Sequence, residues 1–366
     1  MKMDESELFT ESNEPTSFQP KNFQQIVREH AGEEVSQFVF SHLDPKPSKN
    51  LFIATSTVFN ILNQPPGLYN NIVNLKRIND VRYLNKFFES INSLLPVGGI
   101  YINSVETYRI RKERILRRYP PVINWMLYTI DVLFRRVFPK LPFTKQIYFY
   151  MTQGNNRVLS KAETFGRLYS CGFEVVEEKL IGKDLYFVTR KTREPYFDYS
   201  PTYGPLIRLK RMGKGGKMFG VYKARTMHPY SEYLQEYVYK MNSLDEGGKF
   251  KDDFRVTTLG KFMRKVWLDE LPMFINVARG QMKIVGVRPL SRHYLSLYPQ
   301  EVQQRRLNYK PGLIPPFYVD LPKTLDEIVA SEVKYLDDFD KNPFLTDFRY
   351  FWKAMFNIFI KRARSK

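Results

Sequence analysis

The chain has 366 residues, 43% of them apolar, and carries 57 Lys and Arg against 38 Asp and Glu, a formal charge of +19. That length exceeds one ordinary hydrophobic core and the apolar content excludes a disordered chain, so two folded domains are expected. One cysteine, Cys171, excludes an intrachain disulfide framework and fits a reducing cytoplasm; with four histidines it leaves little material for a zinc site, so any metal is expected to be Mg2+ on carboxylate oxygen.

The positive excess predicts an anionic partner, whether nucleic acid, a phosphorylated small molecule or an anionic membrane surface. It lies beyond the N-terminus, because residues 1–40 hold eight acidic side chains against three Lys and Arg. No secretory signal is read in that acidic start. No segment offers the ~18 uncharged apolar residues that a spanning helix needs, so contact with a membrane is expected to be peripheral.

In chain order, residues 1–20 are rich in Ser, Glu, Asn and Pro and predict a disordered lead. Phe23, Ile26 and Val27 have helical spacing. Leu51–Ala54 predicts a buried strand and Tyr69–Leu75 a second. Leu84, Phe87, Phe88, Ile91 and Leu95 give a helix over 83–95, and Pro96-Val-Gly-Gly turns into a third strand ending at Ile102. This order suggests an open parallel sheet. With strands near Phe173–Val176 and Leu185–Val188, residues 48–190 resemble a degenerate class I methyltransferase core, and 21–190 are expected to form one Rossmann-like domain. Residues 55–66 contain no glycine, although close backbone approach to S-adenosylmethionine normally needs one there, so the expectation is a scaffold without that cofactor.

Residues 111–145 are the most amphiphilic stretch. Trp125, Met126, Leu127, Tyr128, Ile130, Val132, Leu133 and Phe134 are flanked by Arg117, Arg118, Arg135, Arg136 and Lys140. This pattern suits a helix lying in a membrane interface or one packed between domains with snorkelling arginines. Residues 191–204, with Pro195 and Pro201, read as a linker to a second domain over 205–366.

Within that second domain, Lys261-Phe-Met-Arg-Lys-Val-Trp-Leu-Asp-Glu-Leu-Pro-Met273 places Asp269 and Glu270 just after Arg264 and Lys265. Adjacent carboxylates beside guanidinium groups suit chemistry on a phosphorylated, metal-bound substrate, since one can attack or hold Mg2+ while arginines clamp phosphate oxygens. A surface salt bridge would leave the same local pattern. Around the pair stand Arg208-Leu-Lys-Arg-Met-Gly-Lys-Gly-Gly-Lys-Met-Phe-Gly-Val-Tyr-Lys-Ala-Arg-Thr-Met227, Asp253-Phe-Arg-Val-Thr257 with Gly260, Asn276-Val277 with Gly280, Val285-Gly-Val-Arg-Pro-Leu290 and Tyr309-Lys-Pro-Gly-Leu313. In this order the motifs resemble the bacterial sugar transferase family, the monotopic polyprenyl-phosphate phosphosugar transferases that begin surface-glycan synthesis.

The resemblance implies a helix-rich α/β domain and a transferase that moves a phosphosugar from a nucleotide-diphosphate sugar to polyprenyl phosphate, through a phosphosugar–Asp269 intermediate. Asp269 is the implied nucleophile. Glu270, with Asp269, is the implied Mg2+ ligand. Lys223, Arg225, Arg264 and Arg288, the last fixed by Pro289, are the implied phosphate-binding residues. Seven Lys and Arg between 208 and 225, with no acid among them, would concentrate phosphate there, or simply form a solvated basic face. His228 and His293 are not assigned as general bases. Two departures bear on the lipid acceptor. The family's apolar re-entrant helix is replaced by Thr192-Arg-Glu-Pro-Tyr-Phe-Asp-Tyr-Ser-Pro201, and its Thr-Gly-Trp-Ala-Gln stretch by Ile314-Pro-Pro-Phe-Tyr-Val-Asp320. Residues 121–138, or a C-terminal helix over 344–364 with apolar positions 345, 348, 351, 352, 355, 356 and 359 in one stripe, are the expected substitutes at the cytoplasmic face of the inner membrane. A non-catalytic scaffold of a glycan-assembly complex is the alternative. Nucleic-acid binding lacks any accompanying motif.

Overall fold

A computed structural model describes residues 20–43, 46–197, 204–241 and 253–361. The expected lead, part of the expected linker and the basic tail beyond Lys361 lie outside them. The chain divides into two compact units, one comprising Met1–Pro139, Gln146–Leu159 and Arg167–Phe197, the other Lys140–Lys145, Ser160–Gly166 and Asp198–Lys366.

The first unit is a Rossmann-like α/β fold. After α1 (Pro20–Ala31) and α2 (Glu33–Phe40) come β1 (Asn50–Ile53), β2 (Asn71–Asn74), α3 (Leu84–Leu94) and β3 (Ile100–Val105), then the hairpin β4 (Phe173–Ile181) and β5 (Asp184–Lys191). The strand order is β1-β2-β3-β5-β4. Strands β1 to β3 are parallel, as the alternation of strand and helix predicts, while β5 runs antiparallel to both β3 and β4. Only Gly182 and Lys183 join β4 to β5, and so short a connection can link only antiparallel neighbours. Strand β2 is buried throughout, whereas β1 is half-exposed at the sheet edge instead of buried as its apolar run suggests. Helix α3 buries Leu84, Phe87, Phe88, Ile91 and Leu94 on one face. Edge-on contacts of Tyr101 with Phe88 and Phe187, each at 6.2 Å, fill the layer beneath it. The turn after β1 is tied to β2: Thr55 N–H donates to Asn74 Oδ1, and Asn74 Nδ2 donates back to the Thr55 carbonyl, both at 3.0 Å.

Two further helices complete this description, α4 (Tyr108–Arg118) and α5 (Ile123–Val132), the latter continued by a wide turn over Leu133–Val137. Asn124, Leu127, Tyr128, Asp131 and Phe134 are buried or half-buried, while Val122, Trp125, Met126, Ile130 and Leu133 face outward. The amphiphilic segment is thus split along its axis.

The second unit opens with the antiparallel hairpin β6 (Leu206–Met212) and β7 (Met218–Ala224). Then follow α6 (Thr258–Lys265), β8 (Lys283–Val285), α7 (Gln300–Leu307), β9 (Gly312–Ile314), α8 (Leu325–Lys341) and α9 (Pro343–Phe359), with β8 and β9 paired in parallel. Its core gathers Val221, Trp267, Met282, Val285, Tyr318, Tyr335, Leu336, Tyr350 and Ile358. The C-terminal helix departs from the single apolar stripe expected of it. Tyr350, Ala354 and Ile358 face the core with Phe351 and Met355 beside them, whereas Leu345, Phe348, Trp352, Phe356 and Phe359 stay exposed. The helix is apolar on two faces because it packs with one and leaves the other outside.

The motif glycine Gly260 has a packing cause. Thr257 caps α6 through Oγ1, which accepts from Gly260 N–H at 2.8 Å, and a Cβ on Gly260 would lie 2.0 Å from the Thr226 carbonyl oxygen. We expect Gly260→Ala to push α6 off the Thr226 backbone just beyond β7 and to destabilise the chain by about 1–3 kcal/mol, read as a lowered thermal midpoint by circular dichroism.

Candidate active site

The face of the β6–β7 hairpin sets the floor of the site. Side chains alternate along a strand, so Ile207, Leu209 and Arg211 share a face, and their partners across the register, Lys223, Val221 and Phe219, share it too. Two cavities open on this floor, of about 970 and 220 Å3, and both are lined by Leu209, Lys223, Glu270, Arg288 and Tyr318. The alternation sorts the seven cations of this stretch. Arg211, Lys223 and Arg225 line the cavities; Arg208 is stacked over Tyr222 at 5.7 Å, Lys210 is exposed on the opposite face of β6, and Lys214 and Lys217 are exposed at the hairpin turn.

Glu270 lines both cavities, with Asp269 beside it on the wall of the larger. Trp267 turns the chain sharply with φ at 64°, and the Asp269 carbonyl accepts from Ala224 N–H at 2.9 Å, which docks the carboxylate loop onto the end of β7. The buried Glu270 carboxylate takes the Lys223 ammonium at 2.8 Å. Asp269 is half-buried and lines the larger cavity. Its burial, with Glu270 beside it, raises its carboxyl above the ordinary aspartate range, while Lys223 and Arg264 oppose the shift. Asn276, fully buried, holds the hairpin from behind: its Oδ1 accepts from Tyr222 N–H at 2.9 Å and its Nδ2 donates to the Gly220 carbonyl at 2.8 Å.

The cations converge from three directions. Arg264, one turn beyond Gly260 on α6, donates through Nε to Thr226 Oγ1 at 3.0 Å. Arg225 donates through Nε to the Gly204 carbonyl at 2.9 Å, and burial pushes its guanidinium below its ordinary range. Arg288 lines both cavities and Pro289 the smaller one. Two separate motifs prove to be one structure at this point. Gly312 N–H donates to the Val287 carbonyl at 2.9 Å, and a Cβ on Gly312 would lie 2.1 Å from Gly286 N, so only glycines let these strands approach. Beneath the turn, Arg306 donates to the Arg288 carbonyl at 2.6 Å and pairs with the buried Glu332 at 2.9 Å.

All the residues singled out from the sequence, Lys223, Arg225, Arg264, Asp269, Glu270, Arg288 and Pro289, therefore line this pair of cavities. Arg211, Thr226 and Tyr318 join them without having been singled out; Tyr318 Oη accepts from Trp267 Nε1 at 3.2 Å. The period-2 alternation of Ile207, Leu209 and Arg211 was the available signal for Arg211. Neither His228, buried, nor His293, exposed, lines either cavity.

Among the described residues no cluster of three or more His, Cys, Asp or Glu is placed to hold a metal. Mg2+ is commonly held by one or two carboxylates completed by water and substrate phosphate, and the adjacent oxygens of Asp269 and Glu270 fit that donor set.

Residues 199–361 match the model of the family described as bacterial sugar transferase. The chain is 37% identical over 141 residues to the galactosyl transferase CpsE of Streptococcus agalactiae serotype III (strain NEM316), covering 37% of this chain and 31% of that protein. Over 102 residues it is 37% identical to the UDP-N-acetylgalactosamine-undecaprenyl-phosphate N-acetylgalactosaminephosphotransferase of Aeromonas hydrophila, covering 27% of this chain and 21% of that one. It is 38% identical over 109 residues to the exopolysaccharide production protein ExoY of Sinorhizobium fredii (strain NBRC 101917 / NGR234), covering 28% and 48%. The chain thus spans less than half the length of each of these relatives. Among solved structures, geranyl diphosphate C-methyltransferase from Streptomyces coelicolor A3(2) aligns at 11% identity with a TM-score of 0.28, covering 49% of this chain and 88% of that one.

Proposed function

We propose that this protein transfers a phosphosugar from a nucleotide-diphosphate sugar to a polyprenyl phosphate, as an early step in surface polysaccharide or glycoconjugate synthesis. One observation supports this reading: Asp269 and Glu270 line a cavity of about 970 Å3 whose walls also carry Lys223, Arg264 and Arg288. The relatives' names, with undecaprenyl phosphate among them, support the acceptor.

In this reading an Asp269 carboxylate oxygen attacks the β-phosphorus of the donor. The bond from that phosphorus to the oxygen bridging to the α-phosphate breaks, and the nucleoside monophosphate leaves with the electron pair. A phosphate oxygen of the polyprenyl acceptor then attacks the same phosphorus, and the Asp269 carboxylate departs regenerated. Two displacements replace one direct transfer between polyanions. Arg264 and Arg288 hold phosphate oxygens in place and offset the charge that builds on them, while Lys223 fixes Glu270. Mg2+, held by Asp269 and Glu270, would supply further neutralisation of the diphosphate.

The nucleophile must be ionised, and without Mg2+ its folded-state pKa is raised, so at limiting Mg2+ the acid limb of kcat/KM is expected above the ordinary aspartate range, with activity falling as pH drops through it. An acid limb at or below the range of a free aspartate would contradict this assignment.

The same reading places the protein at the cytoplasmic face of the inner membrane as a peripheral protein. No helix among the described residues is long and apolar enough to cross a membrane. The outward rows of α5 and α9 support surface contact instead.

The test is nucleoside monophosphate release from a panel of nucleotide-diphosphate sugars with undecaprenyl phosphate and Mg2+. Release with at least one donor, dependent on acceptor for multiple turnover, is the expected result. No release with any donor would favour a scaffold.

A further inference from the structure

Transfer chemistry leaves unused a second basic cavity, of about 360 Å3, held between α4 and α5 in the first unit. Four arginines line it: Arg111, Arg114, Arg118 and Arg135. They share two carboxylates. Arg111 binds Asp131 at 2.7 Å and the buried Glu106 at 3.0 Å, Arg114 binds Glu106 at 2.7 Å, and Arg135 lies 3.3 Å from Asp131. Arg118 lies 5.7 Å over the Tyr119 ring and has no carboxylate partner among the described residues. The ion pairs fix the inner wall, and the excess positive charge stands at the mouth.

That mouth borders an apolar surface. Ile130 lines the cavity and also belongs to the outward row of α5, where Val122 is 80% exposed and Trp125, Met126 and Ile130 are each more than half exposed. Lys112 reaches over Trp125, 5.0 Å from its ring. Apolar side chains arranged on one helix face, with a cationic hollow at their edge, match a lipid: chains below, phosphate above.

We propose that this cavity binds the phosphate headgroup of an anionic membrane phospholipid, with the outer face of α5 seated among its acyl chains. It rests on the peripheral-membrane reading above but not on the transferase chemistry. The cavity fixes which surface of the first unit meets the bilayer.

Sedimentation of the full chain with phosphatidylcholine vesicles, with and without phosphatidylglycerol, tests it, with Trp fluorescence as a second readout. The expected result is binding that requires phosphatidylglycerol and a blue shift to which Trp125 contributes, so that Trp125→Phe reduces it. Each cation near an anionic surface contributes about fivefold in affinity, so the exposed Arg118→Glu should weaken binding by roughly twentyfold while Arg118→Lys changes it little. Unchanged thermal midpoints keep a folding defect from imitating that loss. Binding to phosphatidylglycerol that survives Arg118→Glu, or leaves Trp125 unshifted, overturns the headgroup site and leaves the peripheral reading standing. Binding confined to vesicles carrying undecaprenyl phosphate overturns the phospholipid assignment. No binding to any vesicle overturns both.

Discussion

Asp269→Asn should abolish nucleoside monophosphate release, lowering kcat by at least about a thousandfold, because an amide cannot form the acyl phosphate on which both displacements depend. The substitution is nearly isosteric, and its effect on stability should run the other way. Burial and Glu270 raise the Asp269 pKa in the folded chain, so the native state binds more protons than the unfolded one between the unfolded and folded pKa values. The ionised carboxylate therefore detracts from stability, increasingly as pH rises through that window, and Asn removes the penalty. At neutral pH the variant should melt no lower than the wild type while losing its activity. A fall in melting temperature together with activity would instead make Asp269 a structural residue.

The largest expected effect on stability is at Glu332→Ala. Glu332 and Arg306 are both almost fully buried, with side-chain exposures of 3% and 5%, and are 2.9 Å apart. Burial raises Glu332 above the ordinary carboxylate range and the Arg306 guanidinium opposes that shift. Removing one partner leaves a buried charge uncompensated at a cost of about 3–5 kcal/mol, or roughly 10 °C in melting temperature. Because Arg306 also holds the Arg288 carbonyl, the variant should raise KM for the donor before it unfolds. The double variant Glu332→Leu/Arg306→Met should recover much of the stability, since neither charge then has to be desolvated. Equal melting of Glu332→Ala and wild type would show that the pair is not the support of the Arg288 turn.

The sequence made local chemistry legible and long-range closure illegible. Adjacent Asp269 and Glu270, and the helix period of Leu84, Phe87, Phe88 and Ile91, are read within a few residues. The motif glycines could be recognised, but their reasons could not: Gly260 meets Thr226, and Gly312 meets Gly286, only after the chain has folded. Arg306 and Glu332 sit 26 residues apart on different helices, which no period connects. The edge position of β1 and the reversed direction of β5 depend on strand order, to which an apolar run is blind. In α9 the hydrophobic pattern recorded two faces at once, so a single stripe could not be told from a buried face beside an exposed one. Of the four arginines of the α4–α5 cavity, Arg118 and Arg135 were visible as flanking charge, but the grouping of Arg111, Arg114 and Arg135 around Glu106 and Asp131 was not.

Intact mass of the protein incubated with a competent nucleotide-diphosphate sugar, without acceptor, followed by peptide mapping, tests the central claim most directly. The mass should rise by one phosphosugar, located on Asp269, and the adduct should discharge when polyprenyl phosphate is added. An adduct on another residue, or multiple turnovers to polyprenyl product by Asp269→Asn, would contradict it.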